Sequence, residues 1–348
     1  MNVVRWQRMM MTSVLAMLGL AFLNATPQAA EPKRGPTPLG KLAASMKPGT
    51  WAELPTEGLT NQILKAPTAK GLDIMGWSDD GHWDGKTGQF LFMGLRGRRR
   101  FVAYTEATNA WRNIPLAEKH EEAGSPPIDS QYGHIYARNA HDPERSRYYH
   151  MDHNGGGIYR YDLAKDQWTK LPPGGSYSMT GVIEYFSARK GLVNLGVAQE
   201  VRFFDEDKQT WEKLGPCAVQ GHHSLGRHNP MREEVLLAGG NESPRAVVRL
   251  TKDGKLERLK DAPEDLTVRF GKITVDPVSG RYLILYSDLK KLYEFDSAKN
   301  EYRLVDDFTQ TPWPFGRYDM PVAAFIPEHG VTMWAANKVM LYKHDAGK

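Results

Sequence analysis

The sequence predicts an all-β fold, a six-bladed β-propeller closed by an N-terminal strand. Three observations predict it. First, a hairpin phrase recurs in which an aromatic, a polar turn and a second aromatic keep an offset of seven residues. Its copies are Tyr104 to Trp111, Tyr161 to Trp168, Phe204 to Trp211 and Phe295 to Tyr302, with a weaker one from Arg249 to Leu256. Aromatics on both sides of a polar turn pack across two antiparallel strands. Second, each hairpin is preceded by an apolar segment, an Asp-Pro-like turn and a further apolar run, anchored at positions 84, 142, 186, 229, 276 and 326. Two hairpins returning every 40–50 residues or so make a four-stranded blade. Third, the last unit stops after three strands, near residues 339–342, while residues 50–55 form a strand without a hairpin partner. Pairing those two ends closes the ring and removes two open edges.

In chain order, residues 1–30 read as an export signal. Arg5 and Arg8 precede an apolar run from Met9 to Leu23, and small residues follow at Ala25, Ala29 and Ala30. That run is shorter than the roughly twenty residues of a membrane span. The two arginines are not adjacent, which argues against a twin-arginine signal. The expectation is an exported protein, periplasmic or secreted, with residues 31–348 as one propeller domain. Blade one carries Trp83-Asp84 and Phe90-Leu91-Phe92, blade two Asp142-Pro143 and Tyr148-Tyr149, and blade three a degenerate copy at Phe186-Ser187. Blade four carries Asn229-Pro230 and Gly239-Gly240, blade five Asp276-Pro277, and blade six a degenerate Ile326-Pro327. A seventh blade requires strands hidden in residues 56–78 or 115–130. At 348 residues the usual prior of about 150 per domain suggests two domains, and the repeat replaces that with one ring.

Composition limits the function classes. Hydrophobic residues at 41% and charged residues at 25% exclude wholesale disorder, and a net charge of +4 offers no general nucleic-acid footprint. A single cysteine excludes a disulfide framework and any multi-cysteine metal centre.

The phrase Tyr161-Asp162 through Trp168 and Leu171-Pro172, with Gly239-Gly240 after an apolar strand, resembles the kelch repeats of galactose-oxidase-like propellers. That resemblance covers about residues 40–345 and implies a site on the axial face, where the loops before each first strand and after each second strand lie. Polar residues gather at those positions. His134, His153 and Tyr177 are candidate proton-transfer groups, because imidazole titrates near neutrality. Asp80, Arg138, Arg227 and Arg317 are candidate substrate-binding groups, arginine matching a carboxylate bidentately. The histidines, tyrosine and arginines are similar to the set that carries β-elimination in propeller polysaccharide lyases of the ulvan-lyase type. The sequence departs from that pattern at Gly196-Val197-Ala198-Gln199, where an arginine is expected. Cys217, His222 and His228 are the candidate ligands for zinc, although His222 and His223 would face opposite sides of a strand. No other cofactor is indicated.

Two functional readings follow. One is a monomeric binding propeller with a carbohydrate or protein ligand on its axial face, which needs an accessible aromatic patch such as Trp77, Trp83 and Trp313. The other is a carbohydrate-active enzyme, a lyase of acidic polysaccharides or a sugar mutarotase. Neither involves nucleic acid, nor a membrane beyond export.

Overall fold

The computed structural model describes residues 36–60, 63, 76–78, 81–94, 99–116, 126, 135–152, 157–173, 181–196, 200–315 and 321–347. A helix, α1 (Pro38–Ser45), comes first, followed by β1 (Thr50–Leu54). Blade 1 is β2 (His82–Asp84), β3 (Gln89–Gly94), β4 (Arg100–Thr105) and β5 (Ala110–Ile114). Blade 2 is β6 (Asn139–Asp142), β7 (Arg147–Met151), β8 (Ile158–Asp162) and β9 (Gln167–Lys170). Blade 3 is β10 (Val182–Phe186), β11 (Gly191–Leu195), β12 (Glu200–Asp205) and β13 (Thr210–Pro216). Blade 4 is β14 (Ser224–Asn229), β15 (Glu234–Gly239), β16 (Val247–Thr251) and β17 (Leu256–Arg258). Blade 5 is β18 (Gly271–Val275), β19 (Tyr282–Tyr286), β20 (Lys291–Asp296) and β21 (Glu301–Asp307). Blade 6 is β22 (Val322–Ile326), β23 (Val331–Ala335) and β24 (Val339–Lys343), completed by β1.

Each blade is one four-stranded antiparallel sheet, and the six innermost strands contact one another in the order β2, β6, β10, β14, β18, β22 and back to β2. The ring therefore has six blades. Its seam lies inside blade 6, where Thr50 pairs with Lys343 and Leu54 with Val339. Trp51 fixes this seam. Its ring stacks on Tyr342 at 4.6 Å, meets Phe315 edge-on at 5.6 Å, and donates from Nε1 to Asp306 Oδ2 at 3.2 Å.

Side chains alternate between the two faces of each strand, so every blade presents apolar residues to both neighbours. The result is one apolar cluster per seam, six in all among the described residues. The recurring phrases explain how the blades hold their shape. Tyr104 pairs directly with Trp111, Tyr161 with Trp168, Phe204 with Trp211 and Phe295 with Tyr302, at ring separations of 4.2–5.6 Å. The weak copy differs. Leu256 pairs with Leu250 rather than Arg249, because the blade 4 turn is one residue shorter than the others. The acidic anchors of both phrases accept from backbone amides of their own turns. Asp84 accepts from Thr87, Asp142 from Glu144 and Arg145, Asp205 from Asp207 and Lys208, and Asp276 from Ser279.

All those hairpin turns, joining first to second strands and third to fourth, lie at one end of the ring. The connections between blades and between second and third strands lie at the other, and that end carries the candidate site.

Candidate functional site at the axial mouth

Two layers of side chains line the axis. The deeper layer belongs to the inner strands. Arg227 on β14 is 2% exposed and reaches across the axis, donating to Ile273 O at 2.9 Å in blade 5 and to Gly81 O at 3.4 Å at the entry to blade 1. Glu184 accepts from the His228 backbone at 3.2 Å, the His228 ring meets Ser187 Oγ at 3.2 Å, and Lys272 donates to Val268 O at 2.7 Å. His141 Nε2 approaches Asp84 Oδ1 at 3.2 Å.

Burial decides the charge states. It pushes His82 well below its ordinary range, with Arg227 and His141 adding repulsion, and it takes His228 down to about 3, again with Arg227 opposing protonation. Burial pushes the Asp84 carboxyl up, but bonds from His141 and Thr87 outweigh it and hold Asp84 at about 2. The linkage signs agree. Histidines kept neutral below their unfolded value of 6.5 contribute stability that is complete above pH 6.5 and declines as pH falls. The Asp84 contribution is complete above 3.8 and is lost as pH falls toward 2. The unfolding free energy from urea melts is therefore expected to drop steadily from pH 6.5 to 4, by roughly 1.4 kcal/mol per pH unit for each buried neutral histidine. His228→Gln should flatten that slope by one such contribution; an unchanged slope would refute the assignment.

Above this layer, six side chains from four blades form a chain of stacked contacts across the mouth. The Arg138 guanidinium lies 5.2 Å from the Tyr136 ring, and Tyr136 lies 5.1 Å from His223. His223 is 4.9 Å from Trp77, and the Arg269 guanidinium sits 5.1 Å from Trp77 and 4.6 Å from Phe270. Trp77 precedes blade 1, Tyr136 and Arg138 precede blade 2, His223 precedes blade 4, and Arg269 and Phe270 precede blade 5. Blades 1 and 4 are opposite in the ring, so the stack bridges it.

The backbone is strained to present three of these rings. Trp77, Tyr136 and His223 have φ of 62°, 53° and 70°. Bulky side chains rarely occupy that left-handed region, and such strain gathers at functional sites. The remaining positive-φ non-glycine residues described all end ordinary two-strand turns. Hydrogen bonds hold the strained positions: Tyr136 N donates to Trp77 O at 2.8 Å, Val268 N to His223 O at 2.9 Å, and the His223 ring bonds Asn241 Oδ1 at 2.8 Å.

Beside the buried end of the stack, between blades 1 and 2, Arg99 pairs with Asp152, both essentially without exposure. His150 donates from Nδ1 to Asn139 Oδ1 at 2.9 Å, and Asn139 is oriented by donating to Met93 O. Burial, with Arg99 and Arg138 nearby, lowers the His150 pKa strongly and keeps the ring neutral.

The sequence candidates fall as follows. His134, His153, Tyr177, Asp80 and Arg317 lie outside the described residues. Arg138 is fully buried at the inner end of the stack, and Arg227 braces the channel beneath it. The zinc candidates sit apart: Cys217 in the apolar cluster between blades 3 and 4, His222 exposed in a turn, and His228 on β14. His222 and His223 occupy that turn rather than a strand, so the expected alternation of faces does not apply to them. Among the described residues no three histidine, cysteine or acidic side chains converge. Of the expected aromatic patch only Trp77 is at the mouth. Trp83 is 7% exposed and donates to Glu328, and Trp313 packs on Phe308 and Phe315, because both fill seams next to blade 6. Tyr136, His223 and Arg269 stand before successive inner strands, where the sequence places the site, and Phe270 is the member of the stack that the sequence does not single out.

No family model and no curated protein matches this chain. Solved structures do, 1277 chains of them, which marks a widespread architecture rather than an activity. A protein of unknown function from Bacteroides thetaiotaomicron is similar with a TM-score of 0.56 at 13% identity, over 86% of this chain and 73% of its own. A chain of a nidogen–laminin complex has a TM-score of 0.47 at 10% identity, over 64% of this chain and 77% of its own. Among the described residues no helix is long and apolar enough to cross a membrane.

Proposed function

We propose that this is an exported, kelch-type binding propeller that holds a carbohydrate at its axial mouth. The observation that carries the reading is the stack of Tyr136, His223, Trp77 and Arg269, three of whose members are held in strained backbone. Aromatic faces at a partly accessible mouth suit the apolar face of a sugar ring, and their pre-organisation lowers the entropy lost on binding. Export rests on residues 1–30 and kelch type on the repeated phrase. Titration of the mature protein with soluble oligosaccharides, followed by tryptophan emission, tests it. Binding to at least one oligosaccharide is expected, and Trp77→Ala should weaken it by about tenfold or more. Binding that Trp77→Ala leaves unchanged would move the ligand elsewhere.

One observation favours the enzyme reading: His150 is a neutral imidazole with its tautomer held by Asn139, and its buried Nε2 has no partner among the described residues. That nitrogen is a free hydrogen-bond acceptor close to the Arg138 guanidinium. Incubation with acidic polysaccharides, watched for the absorbance of unsaturated uronates, tests β-elimination directly.

A further inference from the structure

We infer that the ligand of the axial mouth carries an oxyanion, a carboxylate or sulfate, and that Arg269 is the residue that selects it; this rests on the mouth being the binding site. Arg269 differs from the other arginines of the axis. Arg227 is spent on carbonyls across the channel, and Arg99 on Asp152. Arg269 is exposed, and its guanidinium lies over both the Trp77 and Phe270 rings, 5.1 and 4.6 Å from their centroids. Among the described residues it makes neither a hydrogen bond nor an ion pair.

Stacking and hydrogen bonding use different parts of a guanidinium. The rings attract the charge of the group, while the five N–H donors lie in its plane and point outward from its edge. A guanidinium held over two rings is already restricted, so less rotamer freedom is lost when an oxyanion accepts two parallel bonds. His222 is exposed beside His223, their rings 6.1 Å apart, and the charge of Arg269 is felt at His223. A neutral ligand would leave those donors to water; a carboxylate or sulfate on a sugar whose ring rests on the aromatic stack would use both.

Three probes of matched length test this: neutral dextran oligomers, oligogalacturonate and dextran sulfate oligomers, titrated calorimetrically into wild type, Arg269→Gln and Arg269→Lys. Arg269 is on the surface, so melting curves of both variants should overlay wild type. The expected result is that an acidic probe binds wild type at least about tenfold more tightly than dextran. Arg269→Gln should remove that preference, bringing the acidic probes to the affinity of dextran, and Arg269→Lys should restore only part of it. Carboxylate and sulfate are separated by which acidic probe shows the preference. Equal binding of all three probes, unchanged in Arg269→Gln, overturns this inference and leaves the mouth as a neutral-glycan site. No binding by any probe overturns the binding-mouth reading together with it.

Discussion

A chain lacking residues 36–54 is expected to lose its cooperative thermal transition and to elute as oligomers. Strand β1 supplies the fourth strand of blade 6, so its removal bares the edge of β24 along the whole paired register from Thr50–Lys343 to Leu54–Val339. It also takes away Trp51, whose ring touches Phe308, Phe315, Trp334 and Tyr342. Leu54, Leu39 and Ala43 leave the cluster between blades 6 and 1. Deleting one large buried aromatic alone costs about 3–5 kcal/mol, and domains hold only about 5–15 kcal/mol in reserve. A bare strand edge then recruits other copies. Circular dichroism melting and size-exclusion chromatography read both effects. A monomer that melts like the full chain would show that the ring closes without this strand.

Gly239→Ala is expected to be the most damaging single methyl in blade 4, costing about 3 kcal/mol or more from backbone strain and overlap together. Gly239 has φ of 73°, and a Cβ there would overlap the carbonyl of Leu266; Gly240, at φ of 90°, faces the carbonyl of Gln220 in the same way. The close approach has a purpose. Gly240 N donates to Leu266 O at 3.2 Å, and Ser243 Oγ bonds both Gln220 and Gly239. The double glycine thus seats the two connections that deliver His223 and Arg269 to the mouth. Gly239→Ala should lower the melting temperature and weaken mouth ligands in the same variant, whereas a core truncation such as Val235→Ala should lower only the first. Wild-type stability in Gly239→Ala would mean that the Leu266 connection can retreat without cost.

The blades were legible because their signals are local. An aromatic seven residues from another declares a hairpin whatever the rest of the chain does, and Tyr161 opposite Trp168 shows the offset becoming a cross-strand pair. The closing strand could be read from the shortage of one strand at the end. Helix α1 went unread although Thr37 caps it and Pro38 opens it, since eight residues leave too little periodicity to notice. The mouth was legible only in pieces. Its rings come from the approaches to four different blades, at positions outside the repeat, and no propensity places Trp77 or Tyr136 at positive φ. Trp83 and Trp313 looked like surface aromatics because nothing local distinguishes a seam from a rim.

The ring is two-sided, with Arg227 bridging its axis from β14 to Ile273 O and Gly81 O. The mouth and the short turns lie at opposite ends, so the two faces can be addressed separately. Tethering through that second face, by a linker set into the tight turn after Asp162 or Asp205, would orient every molecule with its mouth outward. A surface coated in this way would present a uniform array of open sites rather than a random mixture of blocked and open ones.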